Sequence, residues 1–156
     1  MLHLKSTRTV YFIGIGGIGM SALARYLKRK GGLHVAGYDR VASRVTDALM
    51  EEGIAVNHDH DRLPDSIAAL PSDSLLVVRT PAVPLEHPHH LTLAEKGARI
   101  IKRSELLGEI ADETPTLAVA GTHGKTTTTA ILAHLLDGCP GKCNAFLGGI
   151  ATGVNS

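Results

Sequence analysis

Aromatic residues are nearly absent from this chain, which has three Tyr, two Phe and no Trp in 156 residues. Stacking platforms for unpaired bases therefore have almost no material. With 16 Lys/Arg against 15 Asp/Glu and no basic tract, the electrostatic footprint of a polynucleotide surface is missing too, so nucleic acid is not an expected partner. Cysteine is equally scarce. Cys139 and Cys143 are too few for a disulfide framework, and their spacing is one residue wider than the redox Cys-x-x-Cys pattern, so both read as free thiols of a reducing compartment. No apolar run is long enough to span a bilayer. The nearest imitation is Val10 to Ala24 behind Lys5 and Arg8, which looks like a secretory leader; Gly14, Gly16, Gly17 and Gly19 interrupt it, and a helical leader core tolerates glycine poorly. The expected location is the cytoplasm, with no membrane contact.

What is present suits a soluble globule: 44% apolar residues in about the length of one ordinary domain. From residue 9 to 103, short β-branched runs alternate with amphipathic stretches, the pattern of an open parallel sheet covered by helices. The expected strands are Val10 to Gly14, His34 to Tyr38, Ile54 to Asn57, Leu75 to Thr80 and Arg99 to Ile101. Between them, Ile18, Ala22, Leu23, Tyr26 and Leu27 share one helical face. Ser43 is placed to cap a helix ending at Gly53, Pro64 suits a first helical turn, and Leu91 to Lys96 forms a helix stopped by Gly97. A short helix at about 104 to 111 leads to a linker, residues 112–115. The architecture then restarts with a strand at 116 to 120, a helix to about Leu136 and a further strand near Asn144 to Leu147.

Two loops carry the chemistry. The first strand opens onto Gly14-Ile15-Gly16-Gly17-Ile18-Gly19, the dinucleotide fingerprint in its strand-turn-helix setting, followed by Asp39 at the end of the second strand. Gly14 is expected to make the tight turn, Gly16 to admit a pyrophosphate to the backbone, and Gly19 to allow close helix packing; Asp39 sits where an acid commonly receives a ribose hydroxyl. The second loop is Gly121-Thr122-His123-Gly124-Lys125-Thr126-Thr127. Glycines there let backbone N–H groups converge on phosphates, Lys125 can reach the β- and γ-phosphate oxygens, and the Thr126 hydroxyl can ligate magnesium. Only Thr122 and His123 separate Gly121 from Gly124, where the standard phosphate loop has four residues before Gly-Lys. His123 either faces the reacting group or shapes the turn.

His58-Asp59-His60-Asp61 offers metal-ligand chemistry, but alternation puts its members on opposite sides of an extended chain, so it reads as a solvated loop. His87, His89 and His90 flank Pro88 and are expected to cap a helix or face solvent. Arg40 and Arg44, beside Asp39, imitate a dinucleotide 2′-phosphate site and otherwise read as surface. The rivals are therefore a nicotinamide-dependent oxidoreductase or NAD-sensing module, against which the second loop argues, and a short-loop ATPase or kinase whose first loop is structural.

Val10 to Leu27 together with Ala120 to Thr129 resemble the Mur ligases of peptidoglycan synthesis, in the same order along the chain. The similarity extends to Gly37-Tyr38-Asp39, to Val77 to Ala82, to Ile101 to Leu107 and to Gly148-Gly149. Arg79-Thr80-Pro81 departs from it, standing where the family usually has serines. The resemblance implies an α/β fold: a Rossmann-like parallel-sheet domain at 1–111 that binds a UDP-sugar through Gly14, Gly16, Gly17, Ile18, Gly19, Asp39 and Thr80, then the truncated start of a P-loop α/β domain at 116–156. It implies ATP as co-substrate, Mg2+ on Thr126, and Lys125 as the catalytic cation. It also implies UDP-N-acetylmuramate and L-alanine as substrates, joined through an acyl phosphate in cell-wall synthesis; the confusable relative adds a preformed tripeptide instead. The family's acidic metal ligands, adenine pocket and amino-acid domain lie beyond Ser156. The chain alone is therefore expected to be inactive, with Ala130, Ile131, Leu135 and Leu136 poorly covered and self-association through the last segment.

Overall fold

The computed structural model describes residues 7–137 and 143–147. Five strands form one parallel sheet: β1 (Thr9–Ile13), β2 (His34–Tyr38), β3 (Ala55–Asn57), β4 (Leu75–Arg79) and β5 (Arg99–Lys102), in the order β3-β2-β1-β4-β5. All five coincide with the expected β-branched runs. Parallel pairing sets Thr9 beside both His34 and Leu75, and Ile13 beside Tyr38 and Arg79, so the carboxyl ends of β1, β2 and β4 lie along one edge.

The helices are α1 (Ile18–Lys30), α2 (Arg44–Glu51), α3 (Asp65–Ala68), α4 (Pro88–Glu95), α5 (Arg103–Glu113) and α6 (Lys125–Asp137). Ser43 caps α2 as expected: its Oγ accepts from Thr46 N–H at 3.3 Å, and Thr46 Oγ1 accepts from Ser43 N–H at 2.8 Å. Because strand residues alternate faces, β1 feeds two cores. Val10 and Phe12 pack with Leu23, Leu27, Leu49, Leu76 and Leu106 on the α1/α5 side, while Tyr11 and Ile13 pack with Tyr38, Ile67, Val77 and Leu93 on the other. On α1 the expected face is buried at Ala22, Leu23 and Leu27, but Ile18, its first residue, is 40% exposed.

Beyond β5 one helix end moves and two expected strands are absent. Helix α5 continues to Glu113, into the expected linker, where Lys30 Nζ meets the Glu113 carboxylate at 2.7 Å. Residues 116–120 are not a strand and are largely exposed, with Leu117 at 67%. Asn144 to Leu147 is not a strand either. A strand exists only as part of a ladder, and no described strand lies beside either segment to supply one. Phe146 instead packs edge-on to Tyr26 of α1, ring centroids 5.5 Å apart, with Ala145 and Leu147 buried beside it. Cys143 is a free thiol; Cys139 and Gly148-Gly149 lie outside the described residues. No described helix is long and apolar enough to cross a membrane.

Candidate functional site

In an order that runs outward from β1 in both directions, the crevice beyond the carboxyl ends of β1 and β4 is the switch point where such sheets bind ligands. The glycine loop fills its floor. Gly14 turns there with φ +88°, and the N–H groups of Gly14 and Ile15 donate to Tyr38 O at 2.8 and 2.9 Å, tying the loop to β2. A Cβ on Gly14 would lie 2.5 Å from Thr80 Cγ2, so glycine is required both by dihedral and by space. Thr80 reaches that position because its N–H continues the ladder to Ile13 O at 3.3 Å.

Gly16 and Asp39 are brought together directly. Gly16 N–H donates to Asp39 Oδ2 at 2.7 Å, and Val41 N–H donates to Oδ1 at 3.1 Å. The space over Gly16, expected to admit a pyrophosphate, is bounded by this carboxylate, since an added Cβ would sit 2.8 Å from Oδ2. Gly17 has no neighbour closer than 3.7 Å. Over Gly19 lies a side chain of the helix packed beside α1: Arg103, the first residue of α5, brings Nη1 to 2.8 Å from the position of an added Cβ. Arg103 lies in the Ile101 to Leu107 stretch that carries the resemblance, where no role was read for it. The available signal was a basic residue immediately after β5, on the same edge as the loop. Gly37, named above within Gly37-Tyr38-Asp39, is held there by lack of space. Its face is filled by Ile15 Cδ1 at 2.7 Å and Phe12 O at 2.7 Å from an ideal Cβ, so β2 must carry glycine there for Ile15 to seat.

The second loop stands open to solvent. Gly121 and Gly124 take φ +152° and +77°, and Lys125, the first residue of α6, curls back so that Nζ donates to Gly121 O at 2.5 Å and Thr122 O at 3.1 Å. The ammonium thus lies inside the turn, with loop carbonyls holding it. Thr126 and Thr129 line a groove with Val119, Lys125, Phe146 and Leu147. His123 is exposed and makes no contact that assigns it a role. Glycines with positive φ, a cation in the turn and a hydroxyl in the first helical turn are the donor set that a magnesium triphosphate requires.

The histidines fall differently from the expectation that they face solvent. His87 caps α4, its Nδ1 accepting from His89 N–H at 3.2 Å, yet His87 is 6% exposed and His89 fully buried. Tyr11 O–H meets His89 Nδ1 at 3.1 Å, and the Tyr38 ring stands 4.6 Å from His87 and 4.7 Å from His89. His60, from the supposed solvated loop, joins this group at 4.6 Å from His87, and His58 Nδ1 donates to Asp39 O at 2.6 Å. Burial, then the neighbouring histidines, lowers the His87 pKa from 6.5 to about 4, and burial lowers that of His89. The His87 and His89 rings are therefore neutral at neutral pH and pack against Tyr38. Arg40 and Arg44 are exposed.

Comparison with known proteins follows this geometry. The family model described as "Mur ligase family, catalytic domain" matches residues 9–114. The UDP-N-acetylmuramate--L-alanine ligase of Christiangramia forsetii is 50% identical over 158 residues, covering 100% of this chain and 34% of the relative. That of Porphyromonas gingivalis strain W83 is 51% identical over 151 residues, covering 96% and 32%. The chain thus spans about a third of the length of these curated relatives. Among solved structures, the UDP-N-acetylmuramate-alanine ligase MurC of Thermotoga maritima superposes with TM-score 0.70 at 34% identity, over 83% of this chain and 29% of that one. The UDP-N-acetylmuramate:L-alanyl-gamma-D-glutamyl-meso-diaminopimelate ligase of Neisseria meningitides gives TM-score 0.70 at 29% identity, over 84% and 40%.

Proposed function

The chain belongs to the Mur ligase family, and from that premise we propose that it forms the first part of an ATP-dependent ligase joining L-alanine to UDP-N-acetylmuramate in the cytoplasm. The observation that carries this reading is the glycine loop at the switch point, closed over by Thr80 and tied to Asp39. In the proposal, residues 1–111 hold the UDP-sugar through Gly14, Gly16, Gly17, Ile18, Gly19, Asp39 and Thr80. Residues 116–156 open the ATP-binding domain, and self-association runs through the exposed face of α6. Identities of 50% and 51% to L-alanine ligases, against 29% to the tripeptide ligase structure, favour L-alanine as the amino substrate. The same family assignment displaces the nicotinamide-dependent reading.

A carboxylate is a poor acyl donor, so the lactyl carboxylate of the sugar attacks the γ-phosphate of ATP. ADP leaves, and an acyl phosphate remains. The amine of L-alanine then displaces phosphate to give the amide. Lys125 would exchange its two loop carbonyls for β- and γ-phosphate oxygens and stabilise charge on the transferring group, while the first-turn N–H groups of α6 orient it. Thr126 would hold magnesium, which supplies charge neutralisation when bound. Separate calorimetric titrations with UDP-N-acetylmuramate, NADH and ATP test the reading. Binding of the UDP-sugar is expected; binding of NADH without it would overturn the assignment.

A further inference from the structure

The cap of α4 is held by a ring nitrogen, where the preferred caps are the oxygens of Ser, Thr, Asp and Asn: His87 Nδ1 accepts from His89 N–H at 3.2 Å. Since Nδ1 accepts, the proton of the neutral ring is on Nε2, which is buried with no hydrogen-bond partner among the described residues. A second proton has to go on Nδ1. There it would face the His89 N–H, donor against donor, and the cap would be lost. The surroundings do little for a charged ring. Tyr38 stands against it from β2, His60 and Asp61 act on it from the loop after β3, and His89 and His90 from α4. Of these only Asp61 is an acid, and its side chain is 89% exposed; Glu86, the neighbour in the chain, is exposed as well.

The cap holds a wall of the nucleotide crevice. Residues 80–87 lead from the end of β4 into α4 and are closed by two turns, Val83 N–H to Thr80 O at 3.2 Å and His87 N–H to Pro84 O at 3.3 Å. At the near end of this segment Thr80 Cγ2 and Val83 Cγ2 lie 2.5 and 3.3 Å from where a Cβ on Gly14 would be, so both side chains pack on the turn of the glycine loop. The His87 ring bears on the same turn from β2, packing 4.6 Å from Tyr38, whose carbonyl oxygen accepts from the Gly14 and Ile15 N–H groups. We propose that His87 is a positioning residue for the sugar-nucleotide site: as the neutral cap of α4 it holds residues 80–83 against Gly14, and a proton on Nδ1 releases that hold and weakens nucleotide binding. The proposal rests on the UDP-sugar reading of the glycine loop and adds to it a dependence on acid. Burial, then the neighbouring histidines, brings the His87 pKa down to about 4. The folded value being depressed, the hold is complete at neutral pH and is lost as pH falls through about 4.

Calorimetry of the whole chain with UDP-N-acetylmuramate tests this in two variants. Asn caps through an amide oxygen that does not titrate, whereas Ala cannot cap. At pH 7, His87→Ala should bind about 3- to 10-fold more weakly, as the loss of a cap predicts, and His87→Asn should recover most of that loss. On acidification, the affinity of the unaltered chain relative to His87→Asn should fall to about half its neutral value at pH 4, with circular dichroism showing both proteins folded. Taking the ratio cancels the titration of the ligand and of Asp39, which the two proteins share. A cap of purely structural effect would lower the melting temperature of His87→Ala and leave the affinity of the folded protein unchanged, which would overturn the proposal. A ratio constant from pH 7 to pH 4 would overturn it equally, and decides the matter should His87→Ala not fold. Failure of the unaltered chain to bind the UDP-sugar at pH 7 would instead overturn the reading of the loop itself.

Discussion

At Gly16 the constraint is a carboxylate. An added Cβ would lie 2.8 Å from Asp39 Oδ2, and the Gly16 N–H bond to that oxygen is what fixes the acid at the mouth of the crevice. Gly16→Val should therefore push Asp39 aside and weaken UDP-N-acetylmuramate at least tenfold while the sheet remains folded. Unchanged affinity in a folded variant would remove residue 16 from the site. Single residues also decide the response to acid. His87 and His89 must give up protons to be buried, with His87 held at about 4 against an ordinary value of 6.5, first by burial and then by the charges of His89, His60 and His90. Because the folded value is depressed, the unfolded chain binds more protons between those limits. Stability is thus fully present above pH 6.5 and is lost as pH falls from 6.5 towards 4. Thermal melts should show the midpoint falling through this window, and the fall should flatten in His87→Gln; parallel curves for the two proteins would contradict it.

Elements were legible in proportion to how local their causes are. Val10 to Ile13, His34 to Tyr38 and Leu75 to Arg79 announce themselves as short β-branched runs ended by glycine or a polar turn, and the Ser43 cap and Gly97 stop mark α2 and α4 from adjacent residues alone. The strand expected at 116 to 120 has the same local appearance. It fails because a strand is completed by a partner, and partnership is written elsewhere in the chain. The site follows the same division. The turn at Gly14, the N–H groups of α1 and Asp39 after β2 could be read from spacing, whereas Thr80 and Arg103 come up to the same loop only because the sheet order sets the ends of β4 and β5 on that side. The burial of His87 and His89 was hidden for the same reason, since Tyr11 and Tyr38 meet them across long sequence separations. Two elements carry further predictions. Leu23, 1% exposed in the α1 face, should cost about 2–5 kcal/mol as Leu23→Ala in denaturant unfolding. At the start of α6, Lys125→Ala in a full-length ligase carrying this sequence should cut turnover by orders of magnitude while UDP-sugar affinity stays nearly unchanged. Normal turnover would rule out its role.

At the scale of the whole molecule, the most exposed large apolar side chains lie beyond α5. Up to Glu113 the sheet is clad on both faces by two cores, and the exposed apolar residues there, Ile18, Val41, Met50, Leu85 and Leu91, stay at or below 57%. Beyond it, Phe146 finds Tyr26 and Ala133 is covered, but Leu117, Ile131 and Leu135 are 67%, 57% and 65% exposed. Ile131 and Leu135 are four residues apart and so share one face of α6. Exposed apolar side chains gathered on one helix face favour association when a complementary surface is at hand, and a second copy offers the same face. Phe146 bears on this, because it tethers the last described segment to α1, while the Ile131 and Leu135 side chains remain exposed on α6. The proposed self-association thus predicts a concentration-dependent sedimentation coefficient that rises towards a dimer. Replacing both residues, Ile131→Glu with Leu135→Glu, should return the chain to a monomer without lowering its melting temperature, since neither side chain contributes to a core. A strictly monomeric unaltered chain at high concentration would refute association through α6.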